Sequence, residues 1–372
     1  MTAPLEGIVV VSLEAAISAP FATRQLADLG ATVVKVERPE GDFARHYDSV
    51  VEGESAFFVW ANRGKQSVVL DVKDEADLAM LRALIAGADV FLHNLSPRAA
   101  IALGVDAPTL VALHPHLIAA EISGYGTGGP RTDDKAYDLA IQAEAGVFSV
   151  TGDGDRMGKV GFSVADICAA MYALTSILAA LVRRERTGEG AAIQVSMLDS
   201  LAEWVSAPLY NAVYGPGQAV RTGRRHHAIA PYGTFALSDG STVLIAVQSD
   251  GEWRSMAEHL LGDASLGQDP RFATNASRIG NVDELERLIA ERLEVLSADD
   301  ARAGLAQGRI ANARVNDLRG VWDHEQLRAR GRFVDVRTPS STVELLRSPF
   351  DISGWTPADG PSPALGEHDD AT

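Results

Sequence analysis

The chain has 372 residues, 46% of them hydrophobic, with 33 Lys and Arg against 50 Asp and Glu, a formal net charge of −17. That length builds one large domain or two ordinary ones with a sizeable core, and the acidity argues against nucleic acid or an anionic membrane as a partner. The single cysteine, Cys168, excludes an intrachain disulfide and a cysteine-based metal cluster, and reads as a buried helix residue. No secretion signal is evident at the start, and no run approaches the ~20 apolar residues of a membrane span, so the expected setting is cytoplasmic.

In chain order, the apolar run 8–13 predicts a buried strand, and 20–29 a helix that Gly30 stops. Residues 32–36, rich in β-branched side chains, predict a second strand. Strands follow at 68–72, 90–93 and 117–122, with a helix at 75–86. Alternation of this kind implies parallel βαβ units and an α/β fold with an open parallel sheet. Ligands in such sheets bind beyond the carboxyl ends of the strands. Glu37-Arg38, His93-Asn94 and Ser123-Gly124 all fall there and should face one crevice.

Residues 159–165 form an apolar, strand-like stretch that ends at Asp166, and a long Ala/Leu-rich helix runs on to about Arg186. A carboxylate there sits among unpaired N–H groups at the positive end of a helix. The local pattern alone suggests an N-cap. Residues 209–225, rich in Gly, Tyr and Arg, read as a linker. A β-hairpin follows over 231–246 with Asp239-Gly240 at its turn, then helices from Glu252, Asn281 and Asp299. The large domain is thus expected over 1–208 and a small α/β domain over 226–325. Residues 355–372, with little apolar periodicity, read as a flexible tail.

An ordered set of blocks covers most of residues 4–350. It includes Gln25-Leu26-Ala27-Asp28-Leu29-Gly30-Ala31, Val34-Lys35-Val36-Glu37-Arg38-Pro39, Asn62-Arg63-Gly64-Lys65, Asn94-Leu95-Ser96-Pro97, Lys135-Ala136-Tyr137-Asp138 and Val195-Ser196-Met197-Leu198-Asp199. The set resembles the class III CoA-transferases, the CaiB/BaiF family. The resemblance implies a Rossmann-like large domain completed by 326–352 and an interlocked homodimer. It also implies an acyl-CoA and a carboxylic acid as substrates, with coenzyme A entering as acyl-CoA and no cofactor bound permanently. No metal is expected.

By the same resemblance Asp166 is the nucleophile. It attacks the acyl-CoA thioester to give an aspartyl anhydride, and the CoA thiolate then converts that to an enzyme–CoA thioester. Arg38 would bind the CoA phosphates, the alternative being a surface ion pair with Glu37 or Glu40. The backbone from Leu70 to Lys73 would line the adenine pocket beside Asn94, Leu95 and Ser96. Lys135, Ala136, Tyr137 and Asp138 would lie over the pantetheine. Ala102 stands where many members carry a basic residue, and Arg98 is the candidate substitute. Arg63 and Lys65 are further basic candidates, with solvated surface the equal alternative. The loop Gly124-Tyr125-Gly126-Thr127-Gly128-Gly129 reads either as a source of oxyanion donors or as a flexible turn.

By the same resemblance, the glycine-rich loop that shields the active site in formyl-CoA transferase is missing, and the corresponding region reads Gly223-Arg224-Arg225-His226-His227-Ala228. Its arginines could meet a dicarboxylate, bind CoA phosphates or decorate a linker, while the histidines read as structural or surface residues. Two rival functions stay in view. An α-methylacyl-CoA racemase of this family uses a histidine where this chain has Tyr137, and a tyrosine of pKa ~10 is a poor base. A non-catalytic CoA-binding protein would have no need of Asp166. The run from Tyr137 to Gly146 resembles members acting on succinyl-, mesaconyl- or citramalyl-type esters.

Overall fold

The computed structural model describes residues 2–215, 217–218 and 221–371. Its first compact unit comprises Met1–Val147, Lys159–Leu209 and Glu325–Thr372. Six strands form its sheet: β1 (Val9–Leu13), β2 (Thr32–Glu37), β3 (Gln66–Val69), β4 (Val90–His93), β5 (Ile118–Ser123) and β6 (Ala191–Ser196). All pair in parallel, in the order β3-β2-β1-β4-β5-β6. The order reverses between β1 and β4, the place where an open α/β sheet leaves a crevice.

The central strands are apolar on both faces, as a parallel sheet covered on both sides requires. Val10, Val33, Val90 and Ile118 face a layer holding helices α1 (Ser18–Asp28) and α3 (Val164–Thr187). Their neighbours Val11, Val34, Phe91 and Ala119 face the opposite layer, with Leu81, Ile85 and Leu110. Helix α3 has 24 residues and is long and apolar enough, by length and composition, to cross a membrane. The expectation that no segment reaches that length is corrected here. Its Ala165, Cys168, Ala169, Ala170, Ala173 and Ile177 are instead buried in this core, where small side chains let α1 approach closely.

Several boundaries differ from the sequence reading. Residues 159–163 are not a strand, and α3 starts two residues before Asp166. Strand β3 lies two residues earlier than expected. A turn closed by Asp74 N–H on the Asp71 carbonyl follows it, and Asp74 then caps the next helix. Strand β6 was not anticipated; on the sheet edge its first four residues alternate half-buried and exposed, and only Val195 and Ser196 are buried.

The second unit comprises Phe148–Gly158 and Tyr210–His324. Strands β7 (Tyr232–Ala236), β8 (Thr242–Ala246) and β9 (Ala311–Arg314) form an antiparallel sheet in the order β9-β8-β7. Gly240 takes φ +80° in the hairpin loop, a left-handed value suited to glycine. Trp253, Phe272, Leu285, Ile289 and Leu305 form the core of this unit. The domain limits read from sequence need two corrections. Residues 148–158 leave the large unit because Arg221 Nε donates to the Gly154 carbonyl at 2.8 Å and Gly223 N–H to that of Gly152 at 2.9 Å. The expected linker 209–225 begins inside a helix, Ser206–Tyr214.

The tail is not a loose end either. Gly64 N–H donates to the Pro361 carbonyl at 2.7 Å, and His368 N–H to that of Ser67 at 3.0 Å. Ser67 N–H returns a bond to His368 Nδ1, and Val69 N–H donates to Asp369 Oδ1 at 2.8 Å. These bonds satisfy the outer edge of β3, an edge strand whose unpaired groups would otherwise invite another chain.

Candidate active site

Asp166 sits in the first turn of α3, not at its N-cap. The N-cap, Ser163, has φ −73° and ψ 66°, and Val164 N–H donates to the Phe162 carbonyl at 2.8 Å, a tight three-residue turn. Ser163 makes no side-chain cap. The cap comes from elsewhere: Asp138 Oδ1 accepts the Ala165 N–H at 2.8 Å. Asp138 opens helix α2 (Asp138–Glu144), and one turn on Gln142 Nε2 donates to Asp138 Oδ2 at 2.7 Å. Gln142 Oε1 in turn accepts Val160 N–H at 2.9 Å. Asp138, expected among the CoA contacts, thus has both oxygens engaged in holding the start of α3.

The Asp166 carboxyl is half-buried, and its pKa is pushed up to about 7. Burial is the main cause, the charge of Asp138 adds to it, and a hydrogen bond from Ser18 opposes it. A helix N-terminus favours the ion by about 1 kcal/mol at most on a surface. Here burial and the second carboxylate outweigh it.

Ser18 opens α1 and is 3% exposed. Its Oγ accepts a bond from Asn94 Nδ2 at 3.1 Å. Asn94, just past β4, also donates to the Ala15 carbonyl at 2.8 Å and accepts Ala15 N–H at 3.0 Å. Ala15 follows β1, so this pair of bonds ties the two strands together where the sheet order reverses. Next to it Ala16 holds φ +63°, a left-handed conformation costly for a residue with a Cβ. Its N–H donates to Asp42 Oδ1 at 3.1 Å, while Asp42 Oδ2 takes Lys35 Nζ at 2.8 Å. Glu14 takes Lys65 Nζ at 2.7 Å and the Thr23 hydroxyl at 2.8 Å. Burial pulls the Lys65 ammonium down to about 7 against the opposing pull of Glu14.

Tyr47 approaches the same carboxylate. Its phenol is raised by burial and by the charges of Asp42, Asp166 and Tyr137. It packs between Phe43 and Phe57, with ring centroids at 5.7 and 5.5 Å. Tyr137 is 61% exposed, with Lys135 Nζ 5.3 Å from its ring centre. Ala136 presses against Gly124, where a Cβ would stand 2.2 Å from its own.

The remaining predicted residues occupy the carboxyl ends of the strands without meeting Asp166. Arg38 Nε donates to the Gly41 carbonyl at 2.8 Å and lies 3.9 Å from Glu40, largely exposed. Glu37 pairs with Arg45 and not with Arg38. Leu70 is buried after β3, and Lys73 is exposed on the turn before the next helix. Leu95 N–H donates to His93 Nδ1 at 3.3 Å. Ser96 caps the helix Pro97–Leu103, which carries Arg98 exposed in its first turn.

Other candidates are committed elsewhere. Arg63 is buried against Asp28 at 2.7 Å and Lys65 against Glu14, so neither is a surface cation. In the glycine-rich loop, Gly126 N–H donates to Ser123 Oγ at 3.2 Å and Gly129 N–H to Thr132 Oγ1 at 3.1 Å. Two of its amides are therefore spent within the loop. In the second unit Arg225 pairs with Asp283 at 2.9 Å, and His226 stacks on His227 and Tyr232. Arg224 is exposed. Among the described residues no group of three His, Cys, Asp or Glu could hold a metal ion. Sequence reasoning missed Ser18, Tyr47 and Gln142; only the Ser18-Ala19-Pro20 step before an apolar helix marked the first of them.

The chain is similar to known proteins over nearly all of its length. Residues 5–369 match the model of CoA-transferase family III. The succinate–glutarate CoA-transferase of Agrobacterium fabrum is 34% identical, the match covering 98% of this chain and 94% of the relative. The acetyl-CoA:oxalate CoA-transferase of Acetobacter aceti is 33% identical over 95% and 90% of the two chains. The crystal structure of a CaiB/BaiF family protein from Brucella suis superposes with a TM-score of 0.89 and 35% identity, covering 100% and 98% of the two chains.

Proposed function

The chain belongs to CoA-transferase family III and is a CoA-transferase, and from that premise we propose that it moves CoA through covalent intermediates on Asp166. The donor is succinyl-CoA or another dicarboxyl-CoA, and the acceptor is a carboxylic acid. The single observation that carries this reading is a half-buried carboxylate in the first turn of α3, its pKa raised by burial and by the neighbouring Asp138 that caps the same helix start. Asp166 Oδ attacks the thioester carbon, the C–S bond breaks, and a mixed anhydride and CoA thiolate result. The thiolate attacks the aspartyl carbon, releases the donor acid and leaves an Asp166–CoA thioester. The acceptor carboxylate then attacks that thioester, and the steps reverse.

A carboxylate of pKa about 7 is a stronger nucleophile, once ionised, than the free acids it competes with. Names of relatives such as the succinate–glutarate enzyme support a dicarboxylic donor. Arg38, Lys73 and Arg98, which follow β2, β3 and β4 and are exposed or largely so, are cations available to the CoA phosphates in an acidic chain. Leu70 and Asn94 to Ser96 would flank the adenine, and Lys135 to Tyr137 the pantetheine. The two-base racemase chemistry is not favoured, since Tyr137 replaces the required histidine and Asp138 has both oxygens bonded.

The chain works as a homodimer on this reading. The helix Ser206–Tyr214 buries none of its residues, and with Trp204 it exposes Leu209, Tyr210, Val213 and Tyr214. A reaction among CoA thioesters fits the cytoplasm. The experiment is mass spectrometry of the protein and its peptides after brief incubation with succinyl-CoA. A hydroxylamine-labile CoA adduct confined to the peptide bearing Asp166 is the expected result. Turnover by the Asp166→Ala variant would remove Asp166 from the nucleophile role.

A further inference from the structure

Residues 158–163 lead into α3 without forming a helix or strand of their own. Packing restrains them little. Gly161 is exposed, and a Cβ added there would meet nothing within 4 Å. Phe162 is 60% exposed. Val160 is half-buried against the large core, which the chain reaches fully only at Val164 and Ala165. The entry to the helix that carries Asp166 is therefore held chiefly by polar bonds.

Those bonds converge on Gln142, which lies one turn after Asp138 in α2 and is 0% exposed. Its Oε1 accepts the Val160 N–H at 2.9 Å. Its Nε2 donates to Asp138 Oδ2 at 2.7 Å and, in a longer contact, to the Phe162 carbonyl at 3.5 Å. An amide has its acceptor on one side and its two donor hydrogens on the other. Only this orientation matches them to an N–H, a carboxylate and a carbonyl. Asp138 carries the hold forward, because its other oxygen accepts the Ala165 N–H at 2.8 Å. One buried amide thus governs the chain at 160 and 162 directly, and at 165, the residue before Asp166, through Asp138.

We propose that Gln142 is a positioning residue for the reaction, fixing the chain entering α3 and the Asp138 carboxylate so that Asp166 meets the thioester carbon at attack distance. The inference rests on Asp166 as the nucleophile. Attack needs the reacting atoms about 3–3.5 Å apart and aligned, and a misplacement of about 1 Å can cost about 10²-fold. Without the amide, the Val160 N–H and Asp138 Oδ2 lose their partners, and the acceptor for the Ala165 N–H is no longer fixed. Gln142 has no exposed surface to offer a substrate, so its loss falls on the chemical step and not on binding.

The test is rapid mixing of the full-length enzyme with succinyl-CoA, acid quench, and mass spectrometry of the Asp166 peptide, beside steady-state kinetics. Gln142→Met keeps the length of the side chain and removes its bonds. The CoA adduct should form about 10- to 10²-fold more slowly, with kcat falling in parallel and the KM for succinyl-CoA within about twofold. Adduct formation at the wild-type rate, or a change confined to KM, overturns the proposal. If that variant does not fold, Gln142→Glu replaces it. A neutral carboxyl can donate to Asp138 and accept the Val160 N–H as the amide does, whereas the ionised form sets like charges together. The adduct rate relative to wild type should fall at least about tenfold from about pH 6 to about pH 8.5, with circular dichroism showing the fold kept. A ratio constant over that range overturns the proposal. Wild-type turnover without any adduct at Asp166 overturns the nucleophile reading itself, a result distinct from either Gln142 outcome.

Discussion

Replacing Asp166 with Asn removes a titrating group whose folded pKa, about 7, lies above its ordinary 3.8. The folded state therefore holds a proton between about pH 4 and 7 that the unfolded state has given up. The protonated carboxyl's contribution to stability is complete below about pH 4 and is lost as pH rises through about 7. At 1.36 kcal/mol per pKa unit the whole difference is about 4 kcal/mol, and solvent access at the half-buried group trims it to about 2–4 kcal/mol. The assay is urea unfolding of both proteins from pH 5 to 8 at one protein concentration. Titrations of groups that do not interact with Asp166 cancel in the difference between them. Asp166→Asn should gain stability relative to wild type as pH rises, levelling off above pH 7. A difference flat across that range would refute the argument that burial and Asp138 hold the Asp166 proton.

Asp138→Asn sets an amide against Gln142 Nε2, whose own oxygen is held by Val160 N–H. It should cost about 1–2 kcal/mol by denaturation and shift the pH midpoint of kcat/KM below that of wild type. Gly124→Ala places a Cβ 2.2 Å from that of Ala136. An overpacking loss of about 1–3 kcal/mol is expected by thermal or chemical denaturation, together with reduced turnover from a displaced Tyr137. Deleting residues 360–372 bares the edge groups of Ser67 and Val69. The truncated protein should be less stable and should aggregate on mild heating, as followed by light scattering.

The large sheet was legible because its strands are short β-branched runs spaced by amphipathic helices, a local signal. Strand β6 was not: Gln194 and Ser196 break its apolar run at the sheet edge. Strand β9, exposed along its length, carries no apolar pattern at all. The tail failed for a different reason. A segment that caps an edge through backbone bonds and Asp369 has the same low hydrophobicity as a disordered one. At the candidate site, a carboxylate at a helix start could be read locally. The partners that define its environment lie 28 residues away at Asp138 and farther at Ser18, and only folding reveals them.

The two effects on Asp166 pull in opposite directions, and their sizes decide the chemistry. A fully ionised carboxylate at an open helix N-terminus would have a low pKa. It would attack thioesters weakly, and as the anhydride it would leave readily. A carboxylate near pKa 7 reverses both tendencies: the ion attacks better, and its acyl derivatives are less activated. On the proposed reaction the enzyme must attack a thioester and later be expelled from an anhydride. A pKa between those of ordinary carboxylic acids and of a thiol suits both demands. Asp138 contributes twice to that compromise, since its oxygen fixes Ala165 at the helix start while its charge raises the neighbour it positions. The Asp138→Asn variant separates the two roles. The amide oxygen can still accept the Ala165 N–H, so the destabilisation reports the lost acceptor for Gln142, and the displaced pH midpoint reports the lost charge.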